Sequence, residues 1–255
     1  MRETKVLVIG ATALACGLAL RLGADCTVAD SGWSAGAEFA DAMVAEPIDP
    51  GKNRPLRTAE LVEELWERNI LSRTGKVHCP ALAGAFAKRF CEAGSRVLLG
   101  TRVLGIARRE NGFAVTLFLP REGRTELLAE RVIDTLPQDF MAYRKTFSLM
   151  LADGIPDVGA DGSPRLRRGR FADESVLTFD VPRACTLPGA EKIADSWLTE
   201  NRARLGNAHV ASPALAFGYR FDAVTDTERD GVRYVPSASY PDAVSAFEGG
   251  ETLCL

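Results

Sequence analysis

The feature that most limits what this chain can fold into lies near its N-terminal end. Residues 6–20 form an unbroken run of 15 small or apolar residues, preceded by Arg2 and Lys5 and followed at once by Arg21. The run is too short for a membrane-spanning helix. It has the length of a signal peptide's apolar core, but no small-x-small cleavage site follows it. The remaining reading is a buried strand, a tight turn and a helix. Lys5-Val-Leu-Val-Ile-Gly10 is the continuous apolar run of a parallel strand covered on both faces. Residues 13–22 have helical composition, and Gly23 is a natural stop. Cys26-Thr-Val-Ala-Asp30 is a second short strand whose terminal acid falls 20 residues after Gly10. In such a β–α–β unit the helix N-terminus aims free N–H groups and a positive dipole end at a pyrophosphate. The acid ending the second strand accepts hydrogen bonds from ribose hydroxyls.

Further along, residues 46–56 are rich in Pro, Gly and charge and read as a loop. Residues 59–71 carry Val62, Leu65, Trp66 and Ile70 on one stripe, an amphipathic helix. A second helix runs from Pro80 to Gly94, with Leu82, Phe86 and Phe90 every four residues. Short strands at 96–99 and 101–107, an Asn111-Gly112 turn, an alternating run at 113–119 and a run at 127–135 make a β-meander. Periodicity weakens beyond 138. Segments 147–151, 176–181 and 215–221 read as strands, and 190–205 as a helix. The arginine-rich run 164–170 reads as a solvated loop, the alternative being a contact with an anionic substrate or partner.

Composition closes off several classes. The 255 residues allow one large domain or two small ones. With 31 basic and 34 acidic residues the net charge is −3, against a dedicated nucleic-acid binder. Six scattered cysteines without a C-x-x-C pair, and only two histidines, argue against a metal site. Cysteines used this way suit reduced thiols in a cytoplasmic protein. No membrane association is expected.

The opening register resembles that of the glutathione-reductase-like, two-dinucleotide-binding-domain FAD-dependent oxidoreductases. Gly10 matches the first glycine of G-x-G-x-x-G, Ala19 the alanine four positions beyond the motif, Asp30 the acid, and Gly36 the first of a Gly-Gly pair. The resemblance spans about residues 4–137 and implies an α/β, Rossmann-like FAD-binding fold, a parallel sheet with a β-meander, plus a smaller mixed antiparallel cap. The implied domains are 1–140 with 232–255, binding the nucleotide, and 141–231, the cap. FAD is the implied cofactor, held by Gly10, Ala11, Thr12, Ala13, Leu14, Ala15, Asp30, Ser31, Gly36, Val103 and Thr135. The departures are Thr12, Ala15 and Ala37 at glycine positions, Leu136-Pro137 in place of a glycine turn after Thr135, and no Gly-Asp motif near 232–240. Thr12 either bonds or displaces the phosphate, or it N-caps the helix, and these roles are not exclusive.

Candidate chemistry is sparse. His78 is a candidate general base or flavin neighbour, with a structural role as the alternative, and His209 stands on the same footing. Tyr219 and Arg220 are candidates for a cap pocket, with edge-strand packing as the alternative. The expected function is an FAD-dependent oxidoreductase that moves a hydride from a small organic substrate to the flavin, which itself does the chemistry. The alternative is a flavin-less, non-catalytic relative acting as a subunit or binding module of an oxidoreductase complex. A third is a nicotinamide-nucleotide binder that uses the first β–α–β unit alone. The expected partners are a small-molecule substrate and a partner subunit or second copy of the chain.

Overall fold

A computed structural model describes residues 2–158 and 163–255. Strand β1 (Arg2–Ile9), helix α1 (Ala13–Leu22) and strand β2 (Cys26–Ala29) form the β–α–β unit expected from the sequence. Gly23 ends α1 with φ 58° and donates its N–H to Ala19 O. Helices α2 (Leu56–Glu67) and α3 (Leu82–Glu92) precede strands β3 (Arg96–Leu98), β4 (Arg102–Arg109), β5 (Gly112–Leu119) and β6 (Gly123–Asp134). The next group is β7 (Arg144–Ala152), β8 (Arg165–Arg168), β9 (Ser175–Val181), α4 (Leu187–Glu200), α5 (Arg202–Leu205), β10 (His209–Pro213) and β11 (Gly218–Arg220). The chain then returns through β12 (Thr227–Arg229), β13 (Val232–Tyr234) and α6 (Ala243–Thr252).

The first sheet is built on parallel strands in the order β13-β6-β1-β2-β3, with β12 antiparallel on the outer edge of β13. Strand β6 starts antiparallel to β5 and ends parallel to β1, so the meander folds over one face. There Leu7, Ile9, Val115, Leu117 and Val132 close a dry cluster. The other face carries the helices. Helix α6 crosses α1 so closely that a Cβ on Gly17 would overlap the Phe247 carbonyl, and one on Gly250 the Leu14 carbonyl. Gly17, a weak helix former, is there for that approach.

The second sheet is antiparallel, ordered β10-β7-β9-β8 with β11 also on β7. Its strands alternate: Phe147, Leu149 and Leu151 join Ala190 and Ala194 of α4 in the main apolar cluster, while Thr146 and Ser148 face the opposite way.

Three sequence expectations change. The 164–170 run is not a solvated loop: residues 165–168 form strand β8, paired with β9. The 215–221 strand shrinks to β11, and a separate strand, β10, precedes it. Residues 227–229, within the 141–231 region assigned to the cap, form strand β12 and pair with β13 of the first sheet. Among the described residues no helix is long and apolar enough to cross a membrane.

Candidate functional site

Ligands of open parallel sheets bind outside the carboxyl ends of the strands. Here those ends carry the loops after β1 (Gly10 to Thr12), β2 (Asp30 onward), β6 (Thr135-Leu136) and β13 (Val235 to Ser239). Backbone bonds tie them together: Gly36 N–H donates to Ala11 O at 2.7 Å, Thr135 N–H to Ile9 O at 2.9 Å and Ser237 N–H to Thr135 O at 2.9 Å. Ten of the eleven residues named for a nucleotide, all but Val103, lie in these loops or the first turn of α1. Val103 lies in β4, opposite Leu117.

Thr12 is the N-cap of α1. Its hydroxyl accepts from Ala15 N–H at 3.1 Å and donates to Thr135 Oγ1 at 2.8 Å. Thr135 passes the chain on, donating to Ile9 O at 2.8 Å. The cap role of Thr12 is the observed one, and the single O–H of its hydroxyl is committed to Thr135.

The other donors at the start of α1 are also engaged. Ala13 N–H donates to Glu38 Oε1 at 2.8 Å and Leu14 N–H to Ser237 Oγ at 3.2 Å. Ser237 O–H donates to the same Glu38 oxygen at 2.6 Å. Ala11 N–H and Gly32 N–H both donate to the Asp30 carboxylate at 2.6 Å. Gly10, with φ 97°, keeps the turn open, yet its bare face is covered: a Cβ there would lie 2.7 Å from Thr135 Oγ1 and 2.8 Å from Leu136 Cδ2.

Glu38 was not among the sequence candidates. It is buried, and that burial pushes its carboxyl from 4.5 up to about 7, against the lowering bonds from Ser237 and Ala13 and with the Asp30 charge raising it further. Burial likewise pushes Asp134 from 3.8 up to about 6, although Leu136 N–H and Gln138 donate to it at 2.9 Å. The sequence signal for Glu38 is faint: an acid two residues after Gly36. Its partners lie 25 and 199 positions away.

These residues do not fit a dinucleotide in this arrangement. The pyrophosphate needs the helix N-terminal donors and a positive field. The Ala13, Leu14 and Ala15 N–H groups are spent on Glu38, Ser237 and Thr12. A buried carboxyl holds the Ala13 N–H, the Asp30 carboxylate accepts from Ala11 and Gly32 N–H, and Leu136 lies on Gly10. A pyrophosphate would have to displace the buried Glu38 carboxyl from that helix end.

His78 lies apart from the cradle. Its Nδ1 is 2.9 Å from Glu174 Oε2 and its ring meets Phe171 edge-on at 5.3 Å. His209 is exposed and 3.4 Å from Asp153. Beside the cradle, between the two sheets, is a cavity of about 620 Å³. Glu38, the 44–47 segment and Ala238 to Pro241 wall it on one side, and Thr146, Ser148, Thr178, Arg165, Arg167, Tyr219 and Arg220 on the other. Tyr219 and Arg220 thus line a cavity while also standing on an edge strand.

The sequence matches no protein-family model and no curated protein. Solved structures share its fold. The chain aligns over 98% of its length with 77% of a p-nitrophenol 4-monooxygenase from Pseudomonas putida, at 10% identity and TM-score 0.62. It aligns over 98% with 73% of the myxobacterial chondrochloren halogenase, a variant of FAD-dependent halogenases, at 11% identity and TM-score 0.65. It aligns over 99% with 92% of an L-proline dehydrogenase from P. horikoshii, at 12% identity and TM-score 0.60. The chain has the Rossmann-like FAD-binding fold: a largely parallel sheet with its meander, and an antiparallel sheet beside it.

Proposed function

We propose that this chain is a flavin-free relative of the FAD-dependent oxidoreductases, working as a small-molecule-binding module or subunit of an oxidoreductase complex. One observation carries the reading: the Glu38 carboxyl bonds Ala13 N–H at 2.8 Å and so caps the helix end on which a pyrophosphate would depend. A carboxyl of the same chain already bonded to that helix end is a built-in competitor for it. Its effective concentration is that of a neighbouring segment of the same chain, and no free nucleotide matches that without large added affinity.

The test is the visible absorption spectrum of the purified protein, before and after adding FAD and desalting. The expected result is a colourless protein that retains no flavin. One flavin retained per chain overturns the reading.

That outcome would favour the second reading, an FAD-dependent oxidoreductase taking a hydride from a small organic substrate. What supports it is the fold, together with a cavity placed beside the nucleotide cradle. Under it Glu38 would have to leave the α1 N-terminus when the cofactor enters.

A further inference from the structure

The second sheet turns a polar face inward. Residues directly opposite one another on paired strands share a face. Ser148 stands opposite Thr178, and Thr178 opposite Arg165. Thr146 stands opposite Asp180 and Gly218, and Arg144 opposite Arg220. A sheet with one face on its core normally gives the other to water. Here Thr146 and Ser148 are 2% and 1% exposed, because the cradle segments roof the cavity above them.

Charge on this face is nearly balanced. Arg165 pairs with both Asp180 oxygens at 3.0 and 3.2 Å, Arg167 with Glu46 at 3.0 Å, and Arg144 with Asp222 at 3.3 Å. Ser148 and Thr178 bond each other at 3.0 Å. Among the described residues, the Arg220 guanidinium has no hydrogen bond or ion pair, and the Thr146 hydroxyl has no hydrogen bond. Arg220 is held below the usual arginine range by burial first, then by the Arg165 and Arg144 charges beside it. Arg220 is the cation of this floor without an ion pair and Thr146 has an unused hydroxyl beside it, while Glu38 on the facing wall and aromatic and aliphatic side chains (Phe39, Val44, Phe221, Tyr240) complete the cavity.

We propose that this cavity binds a small organic monocarboxylate with an aromatic or similarly apolar body, its carboxylate held by Arg220 and Thr146. The inference rests on the binding-module reading. A planar guanidinium matches a carboxylate by two parallel bonds. A single cation without an ion pair suits one negative charge, and the lining acids Glu38, Glu46 and Asp222 disfavour a phosphate dianion. The volume lies in the ordinary range for small-molecule sites.

The probe is benzoate, with benzamide as its neutral counterpart, titrated calorimetrically into the full chain at pH 7.5. The expected result is saturable one-to-one binding of benzoate, about tenfold or more tighter than benzamide. Arg220→Gln should lower benzoate affinity by about tenfold and leave benzamide unchanged. Thr146→Val, which replaces the hydroxyl by a methyl of similar size, should lower benzoate affinity by about threefold or more. Circular dichroism of each variant confirms that it is folded. The proposal is overturned if benzoate does not bind, if benzamide binds as tightly, or if folded Arg220→Gln binds benzoate as the parent does. Flavin retention is read separately. If the parent keeps FAD but benzoate still depends on Arg220, the module reading falls and the carboxylate site stands.

Discussion

The loops at the ends of the first sheet and the inward face of the second lie against one another, yet they treat polar groups in opposite ways. In the cradle, Ala11, Ala13, Leu14 and Ala15 give their N–H groups to Asp30, Glu38, Ser237 and Thr12. On the second sheet a guanidinium and a hydroxyl face the cavity without such partners. Both regions resemble a binding site by position. The second keeps a side-chain cation and a hydroxyl free, so what separates a structural network from a site is which groups remain unspent, not which motif surrounds them.

The comparison breaks first at Gly10. Adding a methyl at φ 97°, against Thr135 Oγ1 and Leu136, should cost about 3 kcal/mol from strain and overpacking together, read by urea unfolding of Gly10→Ala. A loss under about 1 kcal/mol would mean that the loops yield and the cradle is less closed than it stands.

The second test is pH. Glu38 and Asp134 hold protons in the folded chain that the unfolded chain has released. Stability is therefore highest below the unfolded values and is lost as pH rises. For Glu38 the window runs from 4.5 to about 7 and is worth about 3 kcal/mol; for Asp134 it runs from 3.8 to about 6. Glu38→Gln should flatten the Glu38 share, measured by urea unfolding at pH 4.5 and 8. An unchanged slope would place the carboxyl in water and reopen the α1 N-terminus to an anion.

The smallest effects sharpen the contrast. Thr12→Ala, which removes a cap and a link to Thr135, should lower stability by about 1 kcal/mol. Arg220→Gln should change it by no more than about 0.5 kcal/mol, because no partner loses a bond. Equal losses in thermal unfolding would show Arg220 to be structural as well.

Much of the first sheet was legible. Period, turn glycines and the 20-residue spacing from Gly10 to Asp30 are local signals, and they give β1, α1, β2 and the meander. The Thr12 cap was legible for the same reason. Glu38 was not, because its role exists only once Gly36 binds Ala11 and β13 brings up Ser237. Strand β8 was hidden by chemistry: arginines at alternate positions read the same whether they face water or a polar cavity. The acid that closes one site and the cation that opens the other both depend on long-range assembly.

The tight crossing of α1 and α6 also bears on how the molecule is made. Helix α1 is synthesised more than 200 residues before Phe247 and Gly250, whose backbone it rests on, and its Leu14 donor waits for Ser237. Until then the growing chain carries the α6-facing side of an apolar helix uncovered and the outer edge of β6 without β13. That is the condition under which nascent proteins aggregate or recruit chaperones. Contacts of such long sequence separation also predict slow folding.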